Sequence, residues 1–127
     1  SFMFSHITIG TNDLAKARTF YNSVLGALGY ENIGDRKTAS LWGSPSSRFV
    51  VLIPADRNAA QAGNGLTVGF KATDQCAVDE FNRRALQKGG TDAGAPGPRD
   101  AVPNLYAAYV RDSDGHKIVA SCVCAKQ

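Results

Sequence analysis

The chain has 127 residues, of which 43% are hydrophobic and 20% charged, and its formal net charge is +3. A chain of this length and composition forms one globular domain rather than a disordered or fibrous protein. Two histidines and three cysteines argue strongly against a zinc finger, an iron–sulfur cluster or an all-histidine metal site. The basic residues are scattered and lack interleaved aromatic residues, so we expect no nucleic-acid partner.

The first half of the chain begins with a strand and continues with a helix. Residues 5–10 alternate between apolar and polar side chains, which is typical of a short strand. Residues 11–13 offer helix N-caps, and an apolar stripe at helical spacing then extends to Leu28 and stops at Gly29. Three further strands are predicted at residues 31–36, 38–42 and 48–53, the last two joined by a turn at 43–47.

The second half has a similar order of elements. A strand is predicted at 66–70, and Asp74 is the predicted cap of a helix that ends at the glycines 89–90. The segment 94–103 is interpreted as a loop, because glycine and proline interrupt regular structure. Two strands are predicted at residues 105–111 and 117–123, joined by a tight turn at 112–115. The apolar stripe of the helix consists of Val78, Phe81, Ala85 and Leu86.

The two halves are interpreted as copies of one βαβββ unit. Sliding the first half onto the second superposes the helix cap, two helix core positions and the helix stop. These pairs are Asp13 with Asp74, Phe20 with Phe81, Leu25 with Leu86, and Gly29 with Gly90. The sequence thus predicts a single α+β domain over residues 3–125, with a first module at about 3–57, a linker at 58–65 and a second module at about 66–125.

The duplication also suggests a shape. Neither unit can bury a sheet face alone, whereas two units side by side can form an open half-barrel. The helices then pack on its convex side, and its concave side forms a trough in which a ligand can bind.

Motifs along the whole chain resemble those of the vicinal oxygen chelate superfamily, also described as the glyoxalase/bleomycin-resistance/dioxygenase group. They include a histidine in the opening strand (Ser5-His6-Ile7-Thr8-Ile9), Phe20-Tyr21 in the first helix and Leu28-Gly29-Tyr30 after it. The clearest motif is the hairpin Tyr109-Val110-Arg111-Asp112-Ser113-Asp114-Gly115-His116, which is similar to an aspartate-x-aspartate-glycine hairpin of that family. The resemblance implies the tandem-module fold and a shared trough.

The resemblance further implies where a divalent metal would be held in an enzyme of this family. The four equivalent positions in this sequence are His6, Val50, Thr67 and Val119. Valine offers no lone pair, and a threonine hydroxyl is a poor ligand without carboxylate or imidazole support. We therefore expect no cofactor and no tightly bound catalytic metal, while weak binding of a divalent metal stays open. His6 either has only a structural role, packing and forming hydrogen bonds where the metal site has been lost, or it contacts a ligand.

Several residues are candidates for contacting an organic ligand in the trough. They are His6, Trp42, Thr67, Tyr106 and, as a cation for an anionic group, Arg36. Arg99 is a second cationic candidate. Tyr106 and Tyr109 lie on opposite faces of their strand, so at most one of them faces the trough.

The hairpin and the cysteines carry weaker expectations. We expect His116 to be an exposed turn residue, and Asp112 and Asp114 to accept hydrogen bonds within the turn. Cys122 and Cys124 are interpreted as small hydrophobic residues, at least one of them in the core. An odd number of cysteines and the lack of a leader pattern predict a cytoplasmic protein, and no apolar stretch approaches the ~18 residues of a membrane span.

The functional hypothesis is a protein that binds a small anionic or neutral organic molecule in the trough, with the family's metal site largely lost. One alternative is a divalent-metal-dependent lyase, isomerase or dioxygenase with an atypical site around His6, so whether the protein is an enzyme stays open. Another alternative is a protein that sequesters a drug, as bleomycin-resistance members do. The resemblance also implies a homodimer.

Overall fold

The computed structural model describes residues 3–124. The first half of that range contains β1 (His6–Gly10), α1 (Leu14–Ala27), β2 (Asn32–Asp35), β3 (Ala39–Ser44) and β4 (Ser47–Leu52). The second half contains β5 (Thr67–Lys71), α2 (Gln75–Gln87), β6 (Thr91–Arg99), β7 (Leu105–Arg111) and β8 (Lys117–Val123).

The strands form two open four-stranded sheets with the same topology. Their strand orders are β1-β4-β3-β2 and β5-β8-β7-β6. In each sheet the first strand pairs in parallel with the last one, and the other pairs are antiparallel. This repetition confirms the predicted α+β fold of two tandem βαβββ modules.

Both helices begin at the predicted caps. The Asp13 carboxylate accepts a hydrogen bond from the Lys16 backbone N–H at 3.0 Å, and Asp74 does the same for Ala77 at 2.8 Å. Such caps satisfy backbone donors that would otherwise lack a partner in the first helical turn. Within residues 3–124, neither helix is long and apolar enough to cross a membrane.

One predicted core position on α2 is wrong. Leu86 is 43% exposed, whereas Val78, Phe81 and Ala85 are fully buried. Leu86 lies about 100° further around the helix than Ala85, which carries its side chain off the buried face. The buried stripe is therefore narrower on α2 than on α1.

A single apolar core spans both modules. In the first module the ring of Tyr21 on α1 packs against Trp42 and Phe49, with ring centroids 5.7 Å and 5.0 Å apart. Phe49 in turn meets Phe70 of the second module edge-on at 5.1 Å. These successive ring contacts connect the first sheet with β5.

The segment 94–103, predicted as a loop, is a strand up to Arg99. It forms β6, which pairs with β7 through a register with irregularities around Gly94 and Gly97. An edge strand tolerates prolines, because one of its sides needs no N–H donors, and glycines accommodate bulges. The prediction failed because local composition does not reveal a partner strand.

The turn between β7 and β8 joins the two modules. The Asp114 carboxylate accepts hydrogen bonds from the Thr11 hydroxyl at 2.6 Å and from the Asn12 backbone N–H at 2.9 Å, and not within the turn as predicted. His116 was predicted to be exposed, but it is buried, and its Nε2 lies 2.7 Å from the carbonyl oxygen of Gly10. A carbonyl oxygen can only accept, so Nε2 donates this bond. The packing of one module on the other explains the burial.

Asp112 organises the same turn from inside. Its Oδ1 accepts hydrogen bonds from the backbone N–H groups of Asp114 and His116 at 3.0 Å and 2.9 Å, which confirms the predicted turn role. Its Oδ2 accepts a bond from the hydroxyl of Tyr21 on α1 at 2.5 Å. Burial raises the pKa of the Asp112 carboxyl, and burial together with Asp112 raises the pKa of Tyr21 well above its ordinary value.

The cysteines differ in part from the prediction. Cys122 is buried as expected, but a disulfide joins it to Cys124, with Cα atoms 5.5 Å apart. Alternate residues of a strand share a face, which brings two such cysteines within reach of each other. Cys76 is a free and exposed thiol.

Candidate ligand-binding site

A pocket of about 560 Å³ lies where the first sheet, the C-terminal end of α1 and β5 meet. Its walls are mostly apolar and aromatic, with Ile7, Leu25, Tyr30, Trp42, Phe49 and Phe70 among the lining residues. Residues of both modules line the pocket, but it also includes the end of α1 and the rings of Trp42 and Phe49, which pack on Tyr21 of α1. It therefore lies partly on the helix side of the first sheet, whereas the duplication predicts a ligand site on the concave side.

Three basic side chains line this pocket. His6 on β1 and Arg48 on β4 are direct neighbours in the parallel pairing of the two strands, so both project from the same face of the sheet. Lys71 is the last residue of β5 and comes from the second module. Glu31 is the one acidic residue among the lining side chains. The charge balance of the pocket is positive.

Arg48 lacks a partner for part of its guanidinium group. Its Nε is buried and makes no hydrogen bond to any residue in the described range 3–124. Among the described residues, the arginines that pair with carboxylates are Arg18, Arg83 and Arg84. A buried N–H without an acceptor carries an uncompensated desolvation cost, which an incoming acceptor would remove.

His6 is more accessible than Arg48. Its side chain is exposed, and Nδ1 lies 2.9 Å from the hydroxyl oxygen of Ser5. This contact orients the imidazole and leaves Nε2 without an assigned partner among the described residues. His6 can therefore donate or accept a hydrogen bond, depending on its tautomer.

Two of the five predicted ligand contacts, His6 and Trp42, line the pocket. The Trp42 side chain is 0% exposed, and its indole Nε1 donates to Oδ1 of Asn22 at 3.0 Å. Its polar atom is thus already paired, so Trp42 can offer a ligand only an apolar wall.

The other three predicted contacts lie elsewhere. Thr67 is exposed at the start of β5, and Arg36 is exposed between β2 and β3. The Tyr106 hydroxyl donates to the Asp79 carboxylate of α2 at 2.7 Å, so this tyrosine projects towards the helix. The structure does not bring these three residues into the pocket that His6 and Trp42 line.

Sequence reasoning missed Arg48 and Lys71. A signal for Arg48 was present, since it precedes Val50 by two residues on the predicted strand and so shares its face. Lys71 could not be found in this way, because its place in the pocket depends on how β5 meets the first sheet.

The side chains at the four metal-equivalent positions do not fit a divalent metal. Val50 and Val119 have no donor atom, and the exposed Thr67 offers one hydroxyl. Over residues 3–124, no group of three or more histidine, cysteine, aspartate or glutamate side chains lies close enough to hold a metal ion. We therefore assign no chemical step to a metal.

Comparison with known proteins defines the class to which this architecture belongs. The sequence model of the Glyoxalase/Bleomycin resistance protein/Dioxygenase superfamily matches residues 3–120. Because this match covers most of the chain, the protein belongs to that superfamily, and the resemblance found in the sequence is confirmed. A comparison with curated proteins gives no significant match.

Solved structures agree with this assignment. The chain is 39% identical to a glyoxalase/bleomycin resistance protein from Albidiferax ferrireducens T118, with a TM-score of 0.87 over 94% of this chain and 98% of that one. A lactoylglutathione lyase from Agrobacterium tumefaciens (21% identity, TM-score 0.61, 95% of this chain and 93% of that one) shares the fold. So does the fosfomycin resistance protein FosX from Listeria monocytogenes (19%, TM-score 0.68, 95% and 93%).

Proposed function

We propose that this protein binds a small organic anion in the pocket between its two modules and does so without a divalent metal. The observation that carries the proposal is the buried Nε of Arg48, which has no hydrogen-bond partner among the described residues and lies next to His6 on the same sheet face. Lys71 adds a third basic group to the lining. The sequence leaves both anionic and neutral ligands open, and these basic groups favour an anionic ligand.

The dimensions and chemistry of the pocket support this assignment. A volume of about 560 Å³ lies within the range of small-molecule sites, roughly 300–1,000 Å³. The aromatic walls can cover the carbon skeleton of a ligand, and they lower the local dielectric constant, which strengthens the attraction of Arg48 for an anion. A guanidinium group offers two parallel N–H donors to a carboxylate or phosphoryl group.

The role of Arg48 is tested by substitution. Isothermal titration calorimetry with a set of aromatic carboxylates and their neutral amides should find binding for carboxylates only. Arg48→Gln should weaken that binding roughly tenfold or more, since a charged hydrogen bond contributes about 1.5–3 kcal/mol. Arg36→Gln is the matched control, because this exposed arginine lies outside the pocket lining. Equal losses for both variants, or equal binding of acids and amides, would contradict the proposal.

Metal content separates this proposal from the alternative of a metal-dependent lyase, isomerase or dioxygenase. Protein purified without chelators should contain far less than one transition metal ion per chain, because two of the four equivalent positions are valines. Plasma emission spectrometry measures this ratio. A value near one per chain that falls on His6→Ala substitution would establish the alternative instead.

We also propose a cytoplasmic location and a homodimer. The odd number of cysteines favours a reducing compartment, whereas the Cys122–Cys124 disulfide weighs against one. The dimer rests on the resemblance to the superfamily. Fractionation of source cells and light scattering of the purified protein test these two statements.

A further inference from the structure

The two cysteines of the disulfide at the end of β8 differ in exposure. Cys122 belongs to the strand and is 5% exposed, whereas Cys124 follows the strand and is half-buried. Val123 between them is 68% exposed, because alternate residues of a strand project from opposite faces. A thiol in solution can therefore reach the sulfur of Cys124 more easily than that of Cys122.

The backbone around this disulfide is held by other bonds. Cys122 pairs with Tyr106 across β7 and β8, and the Cys124 backbone N–H donates to the carbonyl oxygen of Asn104 at 3.1 Å. On its other side β8 pairs with β5. The disulfide joins residues only two positions apart, and the entropy that a disulfide removes from the unfolded chain is smallest for such short loops. The fold therefore depends little on this bond.

Reduction would leave the two thiols side by side. The strand pairing that positions Cys122 and Cys124 involves backbone atoms only, so it does not require the bond between the sulfurs. Reactive groups that are held together react much faster than the same groups free in solution. The bond can thus open and form again within the folded protein.

We propose that Cys122 and Cys124 form a reversible thiol–disulfide site that exchanges with small-molecule thiols and disulfides. In reduction, the thiolate of a small molecule attacks Sγ of Cys124 and forms a mixed disulfide with it. The bond between the two protein sulfurs breaks, and its electron pair leaves with Sγ of Cys122, which takes a proton. A second small-molecule thiolate then attacks the mixed disulfide and releases the Cys124 thiol. Two small thiols are oxidised to one disulfide, and the protein disulfide is reduced to two thiols.

Oxidation reverses these steps and gives the two cysteines different roles. A small-molecule disulfide reacts first with the accessible Cys124, and the buried Cys122 then displaces the small thiol. Cys122 therefore acts as the resolving thiol, and no adduct remains on the protein. A bond that opens in excess thiol is also compatible with the proposed cytoplasmic location.

The roles are tested by mass spectrometry with peptide mapping, using bis(2-hydroxyethyl) disulfide as the oxidant. This probe is neutral, so its reaction does not depend on anion binding in the pocket. Every protein carries Cys76→Ala, which removes the free, exposed thiol of α2. After reduction, this background protein should return to the internal disulfide and retain no adduct.

Two further substitutions separate the cysteines. Cys122→Ala should retain one adduct per chain at Cys124, because the resolving thiol is missing. Cys124→Ala should form an adduct at Cys122 about tenfold more slowly, since a buried thiol reacts only when the end of the strand opens. Urea unfolding followed by Trp42 fluorescence shows whether both variants are folded. Equal rates of adduct formation in the two folded variants would overturn the proposal.

Reduction of the unsubstituted protein decides the question even if a variant fails to fold. Excess 2-mercaptoethanol in native buffer should make Cys122 and Cys124 available to an alkylating reagent in addition to Cys76, and removal of the thiol followed by addition of the oxidant should protect the pair again. The proposal is overturned if the disulfide resists the thiol until the protein unfolds, because the bond is then structural. It is also overturned if the reduced pair does not form the bond again.

Discussion

At the scale of single residues, a hydrogen bond from a tyrosine hydroxyl to an aspartate carboxylate occurs twice, once buried and once at the surface. The Tyr21 hydroxyl donates to Asp112 inside the molecule, and the Tyr106 hydroxyl donates to Asp79 at the surface. The geometry of the two bonds is similar, at 2.5 Å and 2.7 Å. Solvent can replace the donor of the second pair but not that of the first, so their contributions to stability should differ.

We expect Tyr21→Phe to lower the free energy of unfolding by about 1.5–3 kcal/mol, because it leaves the buried Asp112 carboxylate with one donor fewer. The substitution retains the ring that packs on Trp42 and Phe49. Urea unfolding monitored by the fluorescence of Trp42 provides the measurement. Tyr106→Phe serves as the control and should cost less than about 0.5 kcal/mol. Equal effects of the two variants would show that burial of the bond does not matter.

At the scale of elements, the sequence predicts best what depends on neighbouring residues. The predicted ranges of β7 and β8 match the structure, because alternating apolar residues and the intervening turn are local signals. The helix caps Asp13 and Asp74 are local in the same sense. The edge strand β6 was missed, since its identity as a strand depends on pairing with β7.

The difference between local and long-range contacts also explains why the burial of His116 and the position of Lys71 could not be predicted. His116 is buried because it reaches Gly10, which is 106 positions away in the sequence. Lys71 lines the pocket because of how the modules meet, and no pattern within β5 contains that information. Val50 and Val119, by contrast, could be recognised as unsuitable metal ligands from residue type alone. Residue type alone thus rules out valine as a ligand, whereas the set of side chains that line the pocket depends on contacts between distant elements.

At the scale of the whole molecule, the two modules depend on one another through a few polar groups. The turn that Asp112 organises also holds Asp114 and His116, which bind Thr11 and Gly10 of the first module. A change in the charge of Asp112 should therefore affect the unfolding of the molecule as a unit. The aromatic contact between Phe49 and Phe70 adds an apolar link that does not titrate.

The pH dependence of stability tests this coupling. Burial raises the pKa of Asp112 in the folded protein, so folding favours its protonated form. The corresponding stabilisation is complete below the unfolded-state value of about 3.9 and is lost as the pH rises through the folded-state pKa. Relative to Asp112→Asn, the wild-type free energy of unfolding should fall with increasing pH in that window, by at most about 1.4 kcal/mol per pH unit.

Urea unfolding at a series of pH values, again followed by Trp42 fluorescence, gives both curves. The comparison with Asp112→Asn matters because other carboxylates act in the opposite direction. Hydrogen bonds from Asn32 and Ser40 lower the pKa of Asp35, whose stabilising effect is lost as the pH falls. Taking the difference between the two proteins removes that contribution. A flat difference would show that Asp112 ionises as easily in the folded protein as in the unfolded chain, and a difference that increases with pH would show that it ionises more easily there. Either result would contradict the expected effect of its burial.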